Sequence, residues 1–290
     1  MRIARFVDNG FERWGFVDGE LVAPARNGQS LMDVLAFDEA RLEEEARQVQ
    51  PTISLSDVRL LAPVPAPPQF IGIGMNYRDH AEETGQVLPS SPVMFPILIN
   101  AISNPGDPIE IPPFTDSVDW EAELGVVVGR GGRNIPREEA LNHIAGYLIV
   151  NDVSARDIQM GEGQWSRSKS FDTFKPMGPW IATTHELGDA GDLSVKLWVN
   201  DELKQSSSTS QLVFDVPDLV SLMSRALTLR PGMIISTGTP GGIGFTRKPA
   251  EFLKPGDVVT IEIEGIGRLS NPVVNSKTSA ESMAASPVSH

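Results

Sequence analysis

Residues 119–128 constrain the fold of this chain more than any other stretch, because acidic and apolar residues alternate along them. Successive side chains of a β-strand point to opposite faces, so Asp119, Glu121 and Glu123 share one face of a predicted strand. The other face carries only apolar side chains, from Trp120 to Val128, and belongs in a hydrophobic core. The run therefore predicts a strand with one packed face and one acidic face.

Two carboxylates two residues apart on one strand repel each other, and a divalent cation would compensate for this if the face is buried. An edge strand with its acidic face in water explains the same ten residues equally well.

A third carboxylate favours the metal. The apolar run 144–150 predicts a buried strand that ends at Asn151-Asp152. With Glu121 and Glu123, Asp152 completes an all-oxygen ligand set that suits Mg²⁺ or Mn²⁺ better than Zn²⁺. Taken alone, Asp152 is better explained as a turn residue at a strand end.

Basic and polar side chains come next in the sequence. Arg156 and Lys169 would offer an anionic substrate a forked donor and a point charge, and Gln159 would orient a water molecule or a carbonyl group. The alternative is a surface ion pair between Arg156 and Asp157, with a solvated Lys169.

A predicted strand at residues 70–75 leads into a predicted helix that carries His80 and Glu83. Residues three apart are neighbours on one helical face, and a carboxylate beside an imidazole sets its tautomer and raises its basicity. The pair therefore indicates a general base, although surface His–Glu pairs are common.

Residues 234–244 predict a strand that ends in a glycine-rich loop, whose N–H groups would bind a carboxylate unless the loop is only a tight turn. The loop lacks the GK[ST] ending of a P-loop, and the chain has no GxSxG or HExxH motif.

The first 62 residues predict a small N-terminal domain, with strands at 2–7 and 15–22 and a helix at 31–48. Four prolines within residues 62–68 predict a linker or an irregular edge. Residues 63–274 alternate short Val/Ile-rich runs with turns, and helical patterns occur at 137–143 and 216–227. The class is α+β, predominantly β, and residues 275–290 predict a mobile tail.

Net charge and composition exclude several classes of function. The chain has 24 Lys and Arg residues against 38 Asp and Glu residues, so its formal net charge is −14. This charge disfavours binding to nucleic acid or to an anionic membrane. The chain has no cysteine, so it has no disulfide and no Cys-based zinc site. No signal peptide or membrane-spanning stretch is found, and the expected location is the cytoplasm.

Nine ordered blocks between residues 69 and 274 resemble the fumarylacetoacetate hydrolase family. They are GIGMNYRDHAEE, PVMF, NPGDPI, DWEAELGVVVG, NDVSARDIQ, WSRSKSFDTFKPMGPW, STGTPGGIG, FLKPGD and IEIEGIGRLSNPV. The resemblance implies a mixed β-roll catalytic domain, usually dimeric, behind the small N-terminal domain. It also implies Mg²⁺ or Mn²⁺ held by Glu121, Glu123 and Asp152.

The same resemblance implies roles for the other side chains. His80 and Glu83 would lie on a lid that closes over the substrate and activates water, while Lys169 and Gln159 would polarise the substrate or shape its enol. The implied substrate contacts are Arg156, Tyr77, Thr239 and Ile97, with Thr239 at the carboxylate end of the substrate.

Ile97 departs from the family pattern, because many relatives have Phe-x-Lys where this chain has Phe95-Pro96-Ile97. Without that cation we expect the distal end of the pocket to be apolar and substrates to carry one carboxylate rather than two.

The leading expectation is a metal-dependent hydrolase that cleaves a C–C bond in an acylpyruvate-like 2,4-dioxo acid or a related β-dicarbonyl compound. The alternatives within the family are an isomerase, a hydratase and an oxaloacetate-type decarboxylase. A non-catalytic metal-binding or ligand-binding protein is the reading from another class, and His80 and Glu83 argue against it.

Overall fold

The computed structural model describes residues 1–26 and 28–276. The strands, in chain order, are β1 (Arg2–Asp8), β2 (Phe11–Asp18), β3 (Leu21–Pro24), β4 (Ile53–Ser54), β5 (Arg59–Leu61), β6 (Phe70–Gly74), β7 (Val93–Pro96), β8 (Ile102–Ser103), β9 (Ile109–Ile111), β10 (Val118–Asp119), β11 (Ala122–Val128), β12 (Ile144–Asn151), β13 (Ser154–Ala155), β14 (Lys175–Thr183), β15 (Ser194–Val199), β16 (Glu202–Ser208), β17 (Ile234–Ser236), β18 (Val258–Ile263) and β19 (Gly267–Asn275).

The α-helices are short. They are α1 (Leu31–Leu35), α2 (Glu39–Arg47), α3 (Arg78–Thr84), α4 (Arg156–Glu162), α5 (Trp165–Ser168), α6 (Thr184–Leu187) and α7 (Val216–Ala226). Single 3₁₀ turns add to these, the longest of those described being Arg137–His143. None of the helices in residues 1–26 and 28–276 is long and apolar enough to cross a membrane.

Two large sheets and a two-stranded sheet, in which β10 pairs with β13, organise the described residues. The larger has twelve strands in the order β4-β3-β2-β1-β14-β12-β11-β17-β6-β7, with β5 paired to β1 and β8 paired to β14. The smaller has five strands in the order β16-β15-β18-β19-β9. Both sheets mix parallel and antiparallel pairs, and this mixed, mostly β architecture confirms the predicted fold class.

Strand β11 is buried on both faces, because it lies in the interior of the larger sheet between β12 and β17. One face, with Leu124 and Val126, joins the core cluster that contains Ile261 of the smaller sheet. Val127 on the other face joins a second cluster with residues of the first 62. The edge-strand interpretation of the acidic run is therefore wrong.

The first 62 residues are continuous with the larger sheet, since β1 pairs antiparallel with β14. The predicted strand at 15–22 is wrong in its bounds: a turn at Gly19, with φ of +56°, separates β2 from β3. The predicted helix at 31–48 is two helices, because Asp38 caps the second by accepting a hydrogen bond from the Arg41 backbone N–H. Both changes come from local turn and cap chemistry.

The proline-rich segment after β5 is irregular and packed, with Ala62 and Val64 buried in the second core cluster. The division into 1–62 and 63–274 stays a prediction. In the predicted tail, strand β19 includes Asn275, and the residues after 276 lie outside the described part of the chain.

Candidate metal centre

Glu121, Glu123 and Asp152 come together as predicted, and one carboxylate oxygen from each lies within 4.8 Å of the other two. Strand pairing brings them together, because Ala122 is opposite Asn151 where β11 and β12 run side by side. The Asp152 backbone N–H donates to the Glu121 carbonyl oxygen over 2.9 Å. All three side chains are buried, so their charges need compensation.

Lys169 and Arg156 supply part of that compensation. Lys169 Nζ lies 2.7 Å from Glu121 Oε2 and 2.8 Å from Asp152 Oδ2. Arg156 lies 2.7 Å from Glu121 Oε1 and 2.8 Å from Asp119 Oδ2. Both cations are buried, so the interpretations of Arg156 as a surface ion pair and Lys169 as a solvated residue are wrong.

Lys175 is a site residue that the sequence reasoning missed. Its Nζ is 2.8 Å from Asp152 Oδ1, while its hydrogen bonds go to the carbonyl oxygens of Val153 and Phe174. Burial lowers the pKa of Lys175 to about 8, despite the opposing effect of Asp152. The available signal was a second lysine six residues after Lys169 in the same block, SKSFDTFK.

Lys169 and Lys175 act on the pKa of Asp152 against the effect of burial. Burial alone would raise its pKa, but Lys169 and Lys175 lower it to about 2. Asp152 is therefore ionised at neutral pH, as a metal ligand must be.

Glu123 has a different environment. Within the described residues it forms no ion pair, and Gly238 donates a backbone hydrogen bond to its Oε2 over 3.1 Å. Burial, followed by the charges of Asp152 and Glu121, raises its pKa well above the usual range. Four buried carboxylates, with Asp119 included, thus face three buried cations. The all-oxygen set and the uncompensated Glu123 fit a divalent cation such as Mg²⁺ or Mn²⁺.

The glycine-rich loop after β17 binds carboxylates, and they belong to the protein itself. Gly238 and Gly242 have φ of +100° and +97°, which directs backbone N–H groups toward one side. The bonds run from Gly238 to Glu123, from Gly241 to Asp79, from Gly242 to Glu83 and from Gly244 to Asp119. The loop therefore connects the metal cluster to helix α3.

A cavity of about 150 Å³ lies over the cluster. Its polar side carries the three carboxylates, Lys169, Arg156, Gln159, Thr239 and His80. Its apolar side includes Phe95 and Trp165, whose rings pack edge to face with centroids 5.5 Å apart. A small anionic group with an adjoining apolar part matches this division.

His80 and Glu83 lie on α3, with His80 Nδ1 3.5 Å from Glu83 Oε2. His80 lines the cavity. Burial raises the pKa of Glu83, but the neighbouring His80 and the hydrogen bond from the Gly242 backbone N–H outweigh burial and lower it. The pair is thus formed as predicted, while its catalytic role stays a prediction.

Gln159 and Thr239 line the cavity but are already hydrogen-bonded. Gln159 Oε1 accepts from Arg156 Nη1 over 2.8 Å. Thr239 Oγ1 donates to the Ala122 carbonyl oxygen and accepts from Gln205 Nε2. Since a hydroxyl has one proton, Thr239 has none left for a substrate carboxylate.

Two predicted substrate contacts do not lie on the cavity wall described above. Ile97 packs in the second core cluster, and Phe95 lines the cavity instead. Tyr77 is the fully buried N-cap residue of α3, and burial raises the pKa of its hydroxyl far above the usual range. Phe95 and Trp165 give the cavity an apolar lining, and the substrate-binding roles of Ile97 and Tyr77 stay predictions.

Two family models match the chain. Fumarylacetoacetate (FAA) hydrolase C-terminal covers residues 69–274, and Rv2993c-like, N-terminal covers residues 1–63. The chain is 46% identical over 227 residues to an oxaloacetate tautomerase, fahd2, of Xenopus laevis, which is mitochondrial; the match covers 78% of this chain and 71% of the relative.

Solved structures with the same fold carry several activities in their names. One is 2-hydroxyhepta-2,4-diene-1,7-dioate isomerase from Mycobacterium marinum, at 35% identity and a TM-score of 0.79 over 96% of this chain and 100% of that one. Another is fumarylacetoacetate hydrolase from Exiguobacterium antarcticum, at 36% identity and a TM-score of 0.81, with 95% of this chain and 100% of that one covered. A third is maleylpyruvate hydrolase from Sphingobium in complex with manganese(II) and pyruvate, at 31% identity and a TM-score of 0.79. That match covers 96% of this chain and 100% of the other.

Proposed function

This chain belongs to the fumarylacetoacetate hydrolase family of enzymes, and from that premise we propose that it interconverts the keto and enol forms of a small 2-oxo acid with the help of a divalent cation. The observation that carries the proposal is the buried Glu121, Glu123 and Asp152 cluster beneath a cavity lined by His80. The oxaloacetate tautomerase at 46% identity supports this reaction over the others of the family.

Glu121, Glu123 and Asp152 are the residues that would hold the cation. When bound there, Mg²⁺ or Mn²⁺ supplies Lewis-acid stabilisation of negative charge on substrate oxygens. Lys169 and Arg156 hold the two Glu121 oxygens from different sides, and Lys175 contacts Asp152 from below the cavity. These ion pairs keep the ligand oxygens in place before substrate arrives.

Tautomerisation needs one group to take a proton from the carbon next to the carbonyl and return it to oxygen, or the reverse. His80 lies on the cavity wall and performs this transfer in our proposal, with Glu83 orienting its ring. Gln159, held by Arg156, presents its amide to the same cavity. Phe95 and Trp165 exclude water from the carbon end of the substrate.

The second candidate is the hydrolysis of a C–C bond in an acylpyruvate-like 2,4-dioxo acid. The His80–Glu83 pair favours it, because the same base can take a proton from water, and two of the structural neighbours are hydrolases. Water would add to the distal carbonyl, the C–C bond would break, and the departing enolate would take up the proton. Hydration and decarboxylation would use the same enolate. We also propose a homodimer, and a cytoplasmic location stays a prediction.

Product analysis separates these reactions. The purified enzyme is incubated with oxaloacetate or an acylpyruvate, with Mg²⁺, Mn²⁺ or a chelator, while enol absorbance, released CO₂ and carbon fragments are followed. Metal-dependent change in the keto–enol ratio with conserved mass supports tautomerisation. Two fragments from the acylpyruvate, at a rate above that of keto–enol exchange, would replace the first candidate with the second. No metal-dependent reaction on either acid would overturn both.

A further inference from the structure

Asp79 on helix α3 is an acidic side chain that neither proposed reaction uses, and it connects the helix to two other parts of the protein. Asp79 Oδ2 accepts a hydrogen bond from the Ser207 hydroxyl on β16, at the edge of the smaller sheet. Asp79 Oδ1 accepts from the Gly241 backbone N–H in the glycine-rich loop over 3.3 Å. Asp79 therefore connects α3 to the smaller sheet and to the loop that follows the larger sheet.

The residue after Asp79 is His80, and the two are linked directly. The His80 backbone N–H donates to Asp79 Oδ1 over 2.7 Å, so the same oxygen binds both the helix and the loop. Glu83, three residues after His80, accepts a hydrogen bond from the Gly242 backbone N–H over 3.1 Å. Successive glycine N–H groups thus hold both ends of the segment that carries the His80–Glu83 pair.

The glycines at this place permit the approach. A side chain at Gly242 would meet the Lys204 carbonyl oxygen at 2.3 Å, and its φ of +97° is unfavourable for other residues. The packing of α3 does not replace these polar contacts, because Ala81 is its one buried residue among those described. Arg78 also holds the first turn by donating to the Leu212 carbonyl oxygen over 2.6 Å, whereas Asp79 connects that turn to β16 and to the glycine-rich loop.

We propose that Asp79 is a positioning residue that latches α3 to Ser207 and Gly241 and thereby sets His80 over the cavity. This inference rests on the proposed acid–base role of His80 for its effect on catalysis. A displacement of about 1 Å in a catalytic group can cost on the order of a hundredfold in rate. Asp79→Ala should therefore lower kcat by about tenfold to a hundredfold with little change in KM.

The test compares Asp79→Ala with Glu82→Ala, which removes the same charge from an exposed position on the same helix. Ser207→Ala should reproduce part of the loss, while Ser206→Ala, at the exposed neighbour, should not. Because Asp79 and Ser207 share one bond, their double variant should lose less than the two single losses combined. In a His80→Ala background, Asp79→Ala should change kcat within about twofold.

Amide hydrogen exchange provides a readout that does not depend on turnover. Exchange in residues 78–84 should rise in Asp79→Ala and stay at the wild-type rate in Glu82→Ala, with β12 as the internal reference. Equal kcat in Asp79→Ala and Glu82→Ala, or unchanged exchange in residues 78–84, would overturn the latch. If His80→Ala itself keeps full turnover, the proposed role of His80 fails, and hydrogen exchange alone decides whether Asp79 holds the helix.

Discussion

The carboxylate cluster and helix α3 face the same cavity, but they are held in different ways. Glu123 and Asp152 lie on or next to strands that are buried on both faces and bound on both edges within the larger sheet. Helix α3 has one buried residue among those described, and polar contacts with a loop and an edge strand hold it. Local stability follows this difference, because segments with few apolar contacts open more easily.

The difference matches two tasks. A metal site needs ligand oxygens that stay in place, and the ion pairs of Lys169, Arg156 and Lys175 keep them there. In our proposal α3 covers the substrate, and a covering helix must release the product after each turnover. Changes in the cluster should therefore abolish function outright, whereas changes in α3 should reduce its rate.

The largest effect is expected at the cluster. Glu123→Ala should weaken Mn²⁺ binding by more than about a hundredfold and reduce turnover to background. The reason is that the cation would keep only two of its three carboxylate ligands, Glu121 and Asp152. Without metal the variant should unfold at or above the wild-type temperature, since Glu123 is a buried carboxylate without an ion pair among the described residues. Calorimetric titration and thermal unfolding measure the two effects.

The matched control for that variant is Glu138→Ala, which removes an exposed carboxylate far from the cluster. It should bind metal and turn over like wild type. A Glu123→Ala enzyme that kept its metal would show that Glu123 is not a ligand.

A smaller loss is expected on α3. His80→Ala should lower kcat by about two to four orders of magnitude, the usual contribution of general acid–base catalysis, while metal affinity stays the same. Steady-state kinetics and a parallel Mn²⁺ titration separate the two properties. A near-normal kcat would remove His80 from the mechanism, and a parallel loss of metal would erase the distinction between the two regions.

Position 97 tests whether the core beneath the cavity tolerates charge. Ile97→Lys buries an ammonium in the second core cluster without a partner, and it should destabilise the fold by several kcal/mol without a change in substrate preference. Ile99→Lys is the control, because Ile99 is 53% exposed. Unfolding in denaturant measures both. A stable Ile97→Lys enzyme with a new preference for diacids would restore the predicted role of position 97.

The smallest expected effect is the dependence of the local stability of α3 on pH. The folded pKa of Glu83 lies below its ordinary value of 4.5, so its hydrogen bond from Gly242 stabilises α3 above that pH and is lost as pH falls through the lower, folded value. The protection factors of the amides in residues 78–84, taken relative to the intrinsic exchange rate at each pH, should therefore fall as pH drops below 4.5, and those of β12 should stay constant. In Glu83→Gln the same segment should exchange quickly and lose this pH dependence. Equal pH dependence in both proteins would assign it to another group.

Much of the cluster was predictable because its signals are local in sequence. Period-two alternation predicted one strand with Glu121 and Glu123 on the same face. The structure instead ends β10 at Asp119 and begins β11 at Ala122, so the bounds of that strand were wrong, whereas the apolar run did place Asp152 just after a strand end. The partners of these carboxylates were less predictable, since Lys175 and Gly238 reach them only through tertiary folding. No pattern within one segment encodes such a contact.

The expectation at Ile97 came from the family resemblance, and its role in substrate preference stays a prediction. Strand β7 ends at Pro96; Phe95 lines the cavity, while Ile97 is buried in the second core cluster. The sequence predicted that the glycine-rich loop can bind carboxylates, but it did not predict which ones. The partners Asp79 and Glu83 lie about 160 residues earlier in the chain.

The most direct measurement of the central claim is metal removal and return in the wild-type enzyme. We expect EDTA treatment followed by dialysis to abolish turnover of 2-oxo acids, and Mg²⁺ or Mn²⁺ to restore it with one ion bound per chain. The reason is that the buried cluster has an oxygen from each of three carboxylates within 4.8 Å of the others and one carboxylate that no described cation pairs. Full turnover in protein shown to be metal-free would contradict the account.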